Sequence, residues 1–232
     1  MLVYGATGRA GSLVVEKALA QGWAVYAFVR NPNRLSAELR ANARLTVVQG
    51  NLNDAAAIAL SVKQAQPHAI VDASSAVPAS ANQNQANDAD RPLVVRATVA
   101  ALADDARLAD CVLLIVGGQL IPEPGGAINS WSAWLLALLL RTVVARKAWR
   151  DAEEMLRWCF YQSDPRFRFI YARMGYMVEE PTRGTLIPEP TENNIQNGPA
   201  SYCDVADAFC RLAADPDRAW ERKPIFFNYA KI

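Results

Sequence analysis

The sequence predicts an α/β fold, a doubly wound parallel sheet with helices on both faces and a small irregular cap in the C-terminal half. Three observations carry this. Short β-rich runs alternate with helical stretches through the first half, the mark of parallel βαβ units. The strand runs are mainly apolar, as suits strands buried on both faces. A glycine-rich turn joins the first strand directly to the first helix. At 232 residues, 52% hydrophobic and 20% charged, the chain suits one domain that buries its own core, and no repeat or linker divides it.

Leu2 to Tyr4 makes the first strand, and the helix after the glycine turn runs to about Gln21. Trp23 to Val29 is the second strand, Leu45 to Gln49 the third and Ala69 to Ala73 the fourth. Asn53 or Asp54 caps a helix through Val62, and Asp90, with Pro92 in the first turn, opens another from Leu93 to about Ala103. Cys111 to Val116 is the fifth strand. A loop of turn formers, Gly117 to Asn129, leads to the apolar segment Trp131 to Ala145. Its longest unbroken apolar run, Trp134 to Leu140, ends at Arg141, well short of the roughly 18 to 20 residues a membrane span needs. The segment therefore reads as a buried helix or pocket wall. Next, Ala145, Ala148, Trp149, Ala152, Met155, Leu156 and Cys159 recur at helical spacing and put Lys147, Arg150, Asp151, Glu154 and Arg157 on the opposite side. Phe169 to Ala172 is the sixth strand. Glu179 to Pro199, rich in Pro, Asn and Gly, reads as a long surface excursion over a ligand. Ser201 with Asp204 has the pattern of a capping box opening the last helix, and Ile225 to Tyr229 closes the chain as a strand.

With 24 basic against 23 acidic side chains, a net charge of +1 gives no reason to expect nucleic acid or an anionic membrane as partner, since such binding needs many clustered cations. The four cysteines form no CxxC pair and there is one histidine, so no metal site is expected. Cys203 and Cys210 would sit roughly 10 Å apart on one helix, too far for a disulfide. No charged leader or apolar run precedes Leu2, and a cytoplasmic location is expected.

The string that carries chemistry is Gly5-Ala6-Thr7-Gly8-Arg9-Ala10-Gly11, placed between strand and helix. Gly5 allows a sharp turn, Gly8 lets backbone approach a diphosphate, and Gly11 lets the helix close on the sheet. The helix N-terminus then offers free N–H groups and the positive end of its dipole to an anion. This is the dinucleotide turn of a Rossmann-type sheet, spaced GxxGxxG. In NAD sites an acidic residue ends the second strand and holds the ribose 2′-OH. Here that end is Phe28-Val29-Arg30-Asn31, so Arg30, with Arg9 as a second clamp, selects a 2′-phosphate and NADP(H) is the expected cofactor. Residues 1–120 then read as mainly cofactor-binding and 121–232 as mainly substrate-side.

The chain resembles the atypical short-chain dehydrogenase/reductases with an NmrA-like or biliverdin-reductase-B-like NAD(P)H-binding domain. The resemblance runs nearly end to end. It rests on Gly5 to Gly11, Val29 to Pro32, the Gly50-Asn51-Leu52-Asn53-Asp54 turn, Ala73-Ser74-Ser75, and the Tyr202-Cys203-Asp204-Val205-Ala206 helix. It implies that Asn51 lies at the adenine, that Leu52 next to it belongs to the cofactor site, and that Ala73, Ser74 and Ser75 pass beside the nicotinamide ribose. Met174 stands where such proteins often have proline after Arg173, which alters the substrate wall.

Standard members protonate the carbonyl oxygen with a tyrosine, aided by a lysine four residues later and by a serine. None of the seven tyrosines here is followed by lysine at that spacing, and Gly117-Gly118 takes the serine's place. Lys147 is the candidate for binding the nicotinamide ribose or orienting a water, although Asp151 four residues on explains it equally as a surface pair. Trp131, Trp134, Met174 and Tyr176 are expected to line a pocket for a planar or apolar small molecule. Two functions fit. One is an NADPH-dependent reductase passing hydride to a flavin, quinone or tetrapyrrole-like acceptor; the other is an NADP(H)-binding redox sensor of NmrA-like type. A monomer or weak homo-oligomer is expected in either case.

Overall fold

In the computed structural model Leu2, Val3 and Tyr4 have no solvent exposure, which puts the first strand in the middle of the sheet. The structure describes residues 1–74, 89–118, 120–122, 124–126, 128, 131–144, 146–190, 198–215 and 219–230. The strands are β1 (Leu2–Tyr4), β2 (Val25–Val29), β3 (Leu45–Gln49), β4 (Ala69–Asp72), β5 (Val112–Gly118), β6 (Arg168–Met174), β7 (Met177–Val178), β8 (Leu186–Pro190), β9 (Ala200–Ser201) and β10 (Pro224–Tyr229). Eight of them form one sheet in the order β3-β2-β1-β4-β5-β6-β10-β8, while β7 and β9 pair separately. All pairings in the large sheet are parallel except β10 with β8. The reversal of strand order between β1 and β4 is the switch point of doubly wound sheets, where ligands bind beyond the carboxyl ends.

The helices are α1 (Arg9–Ala20), α2 (Ala37–Ala41), α3 (Ala55–Ala65), α4 (Arg91–Ala103), α5 (Trp131–Leu139), α6 (Arg146–Tyr161) and α7 (Tyr202–Ala214). Helices α1 and α7 cover one face, with Val14, Val15 and Phe209 in its core. Helices α3, α4 and α6 cover the other, with Ile58, Val95 and Met155 buried beneath them. The caps are chemical. Asp54 accepts from the Ala56 and Ala57 N–H groups, and Asp90 accepts from Leu93 N–H. Asn53 does different work, accepting from Asp90 N–H at 2.8 Å and so tying the turn after β3 to the start of α4.

Three expectations are corrected. The segment read as a surface excursion contains β8, an antiparallel edge strand that includes Pro188 and Pro190. Ala230 N–H donates to Thr185 O, so the alternation of the ladder turns the nitrogens of both prolines toward the free edge, where no hydrogen bond is lost. Ser201 caps α7 by accepting from Cys203 N–H, but Asp204 does not complete a capping box. Its carboxylate accepts instead from Arg183 N–H at 2.8 Å and from the Tyr229 hydroxyl at 2.9 Å, pinning the segment before β8 to the last strand. Lastly, α5 is not a buried helix. Only Ala137 of its nine residues is buried.

Candidate functional site

The turn after β1 is shaped by two close approaches. Gly5 has φ +69°, and a Cβ there would lie 2.8 Å from the Ala73 carbonyl and 2.9 Å from Ser74 N. The turn is thereby pressed against the end of β4. A Cβ on Gly11 would lie 2.2 Å from Gly5 O, so the helix closes on its own entry turn. Gly8 N–H donates to Gly5 O at 2.8 Å, and Gly8 precedes α1 with no side chain capping it. The N–H groups of Arg9, Ala10 and Gly11 therefore have neither an intrahelical acceptor nor a side-chain cap. Ala6 is fully buried and Thr7 is partly exposed beside it. Twelve residues of α1 stand behind this opening, and their dipole adds to its pull on an anion.

Cations and polar groups surround the turn. Arg9 Nη1 lies 3.4 Å from Glu179 Oε1, and its guanidinium sits 5.1 Å from the Tyr202 ring centroid, joining the start of α1 to the segment after β7 and to α7. Arg30 is exposed at the end of β2 and its carbonyl accepts from Gln49 Nε2. Asn51 is exposed just past β3, so Arg30 and Asn51 lie beyond the carboxyl ends of adjacent strands. The Asn51 side-chain oxygen accepts from Asn53 N–H at 3.0 Å, and Leu52 packs on the core under α3 and α4. Ala73 N–H donates to Tyr4 O, and Ser74 is buried behind Gly5. Ser75 lies outside the described residues.

A charged pair that the sequence reading missed sits behind this edge. Asp72, the last residue of β4, is fully buried; Ser74 N–H and the Ser74 hydroxyl donate to one carboxylate oxygen, and Arg91 Nη2 lies 3.4 Å from the other. Arg91 is 6% exposed and its Nε has no partner among the described residues. The available signal was an acid ending the apolar run Ala69-Ile70-Val71, a place where an uncompensated charge is not tolerated.

The expected substrate residues differ in burial. Met174 is buried in the core under α1 and α7, whereas Tyr176, Trp131 and Trp134 stand 76%, 78% and 53% exposed. Lys147 Nζ lies 2.9 Å from Asp151 Oδ2, as the pair reading expects. At Gly117 the Tyr171 ring lies 2.1 to 2.2 Å from where a Cβ would be, so a side chain there would require the ring to move, whereas Gly118 has no such neighbour. His68 packs edge-on against Trp23 at the amino end of β4, with burial lowering its pKa. Burial pushes the Cys111 and Cys159 thiols up to about 12 and Cys210 up to about 11, so these three are unreactive. Among the described residues no cluster fit for a metal ion occurs.

A family model described as NAD(P)H-binding matches residues 5–216, from the first glycine of the turn to just past α7. The chain belongs to this NAD(P)H-binding family. The match agrees with the resemblance to atypical short-chain dehydrogenase/reductases. No curated protein matches it by sequence. Among solved structures, a short-chain dehydrogenase/reductase from Veillonella parvula in complex with NADP superposes with TM-score 0.71 at 15% identity, covering 98% of this chain and 93% of that one. An anaerobillin reductase from Escherichia coli gives 0.70 at 18%, covering 100% and 97%. A putative epimerase from Bacteroides thetaiotaomicron gives 0.70 at 16%, again covering 100% and 97%. These likenesses establish a shared fold.

For a member of the NAD(P)H-binding family the Gly11 contact has a direct test. Gly11→Ala drives a methyl group into the Gly5 carbonyl, a backbone atom that cannot swing aside. It is expected to cost about 1–3 kcal/mol of stability and to weaken coenzyme binding on the order of 10-fold or more by opening the turn. Thermal unfolding and titration calorimetry measure the two effects.

Proposed function

We propose that the protein is an NADPH-dependent reductase that delivers hydride to a planar acceptor such as a flavin, quinone or tetrapyrrole. The observation that carries this reading is the uncapped N-terminus of α1, held open behind Gly5 and Gly11 by contacts that no larger residue permits. The cradle suits a diphosphate, whose oxygens would be met by the N–H groups of Arg9, Ala10 and Gly11. Arg30 would grip the 2′-phosphate, and Arg9 would supplement it on release from Glu179. Asn51 would face the adenine, with the Leu52 backbone beside it and with Ala73, Ser74 and Ser75 along the nicotinamide ribose. The reduced nicotinamide supplies the hydride, and the protein contributes orientation and exclusion of water. The proton comes from solvent or from Lys147, whose ammonium Asp151 already holds in place. The choice of acceptor draws support from the anaerobillin reductase of the same fold.

The test mixes purified protein with NADPH and a panel of flavins, quinones and linear tetrapyrroles and follows coenzyme absorbance. Consumption with at least one acceptor class is the expected result. Tight binding with no consumption across the panel would favour the NADP(H)-binding sensor instead.

A further inference from the structure

Eleven large apolar side chains are exposed among the described residues, and seven of them lie between positions 131 and 143. Their arrangement inverts that of an ordinary surface helix. On α5 the inward positions Ala133 and Ala137 are small, while Trp131, Trp134, Leu135, Leu138 and Leu139, spaced i, i+3, i+4, i+7 and i+8, point to solvent. Val143 extends the patch into the π-helical turn Leu140–Val144. A patch of this density marks an interaction surface.

We propose that α5 and the turn after it seat the protein on an anionic lipid surface. The run of nine residues in α5 carries no charge, and its apolar side chains occupy most of its circumference, as suits a medium with no fixed shape. Two tryptophans stand at one end, suited to the headgroup boundary. Cations stand at the other: Arg141, Arg146, Lys147 and Arg150 are exposed, and no acidic residue occurs from Trp131 through Arg150. Arg141 and Lys147 have Glu153 and Asp151 as counter-ions, whereas Arg146 and Arg150 have no ion-pair partner among the described residues. A second copy docking face to face would bring these arginines toward their own equivalents, with the nearest acids already engaged. Lipid phosphates neutralise them instead. No described helix is long and apolar enough to cross a membrane, so the segment lies in the interface plane. The chain's overall charge of +1 conceals this local concentration of cations, which the sequence reading took as reason to expect no anionic membrane.

The experiment is flotation of the full chain with vesicles of phosphatidylcholine alone or mixed with phosphatidylglycerol. The expected result is co-flotation with the mixed vesicles, weakened by salt, with a blue shift of tryptophan emission. Leu135→Glu with Leu138→Glu changes two solvent-facing positions and should leave thermal unfolding unchanged while abolishing flotation. Arg146→Glu with Arg150→Glu should lower the partition coefficient on mixed vesicles on the order of 10-fold or more. Flotation equal on both vesicle types, or on neither, overturns the proposal. So does a dimer in solution, seen by light scattering, that the Leu135→Glu, Leu138→Glu variant converts to monomer.

Discussion

Replacing Asp72 by alanine is expected to destabilise the protein by about 3–5 kcal/mol, because it strands Arg91 as a buried cation without its counter-charge. For a chain of this length that corresponds to a fall in Tm of roughly 6–20 °C. The loss has a second component at the site. Ser74 N–H and hydroxyl both end on the Asp72 carboxylate, and Ser74 N is one of the atoms that a Cβ at Gly5 would strike, so the back wall of the cradle loosens together with the core. Removing both charges, as in Asp72→Leu with Arg91→Met, should recover much of the stability without restoring the anchoring of Ser74. Calorimetric unfolding alongside coenzyme titration separates the two. If Asp72→Ala melts within a degree of wild type, the pair is not closed in solution.

Arg30→Asp is expected to weaken NADPH binding on the order of 100-fold while leaving NADH binding nearly unchanged. Charge-assisted hydrogen bonds to a phosphate contribute about 1.5–3 kcal/mol, and the introduced carboxylate both removes them and repels the 2′-phosphate. The same carboxylate can accept from the unphosphorylated ribose hydroxyls, so the preference should move toward NADH. Equal loss for the two coenzymes would show that Arg30 supports the turn after β2 and does not read the phosphate. Arg30 is exposed and its carbonyl accepts from Gln49 Nε2, so thermal unfolding of the variant is measured beside both titrations.

The parts of this molecule legible in its sequence are those whose cause is local. Apolar runs specified β1 through β6, Asp54 and Asp90 announced their helices, and the glycines around Gly8 announced a strand-to-helix corner. The parts that were not legible depend on partners distant along the chain. Asp72 and Arg91 are nineteen positions apart and meet only after β4 and α4 pack. Asp204 follows the local pattern of a capping box, yet the backbone of Arg183 and the hydroxyl of Tyr229 offer its carboxylate better company. Pro188 and Pro190 argue against a strand until the sheet's edge is known to lie beside them. For α5, large apolar residues cover more than half of the helix, but spacing alone cannot say whether they face protein or solvent.

The prolines of β8 have a consequence for how this molecule meets others. A row of unsatisfied amides at the rim of a sheet is a template for a neighbour's strand. Here the rim beyond β8 lacks those amides at Pro188 and Pro190, and Glu189 between them is engaged with Asn228. Ribbon-wise growth from that side is thereby disfavoured, whether as an ordered dimer or as an aggregate, which sets it apart from β3 at the opposite margin of the main sheet, whose five residues include no proline.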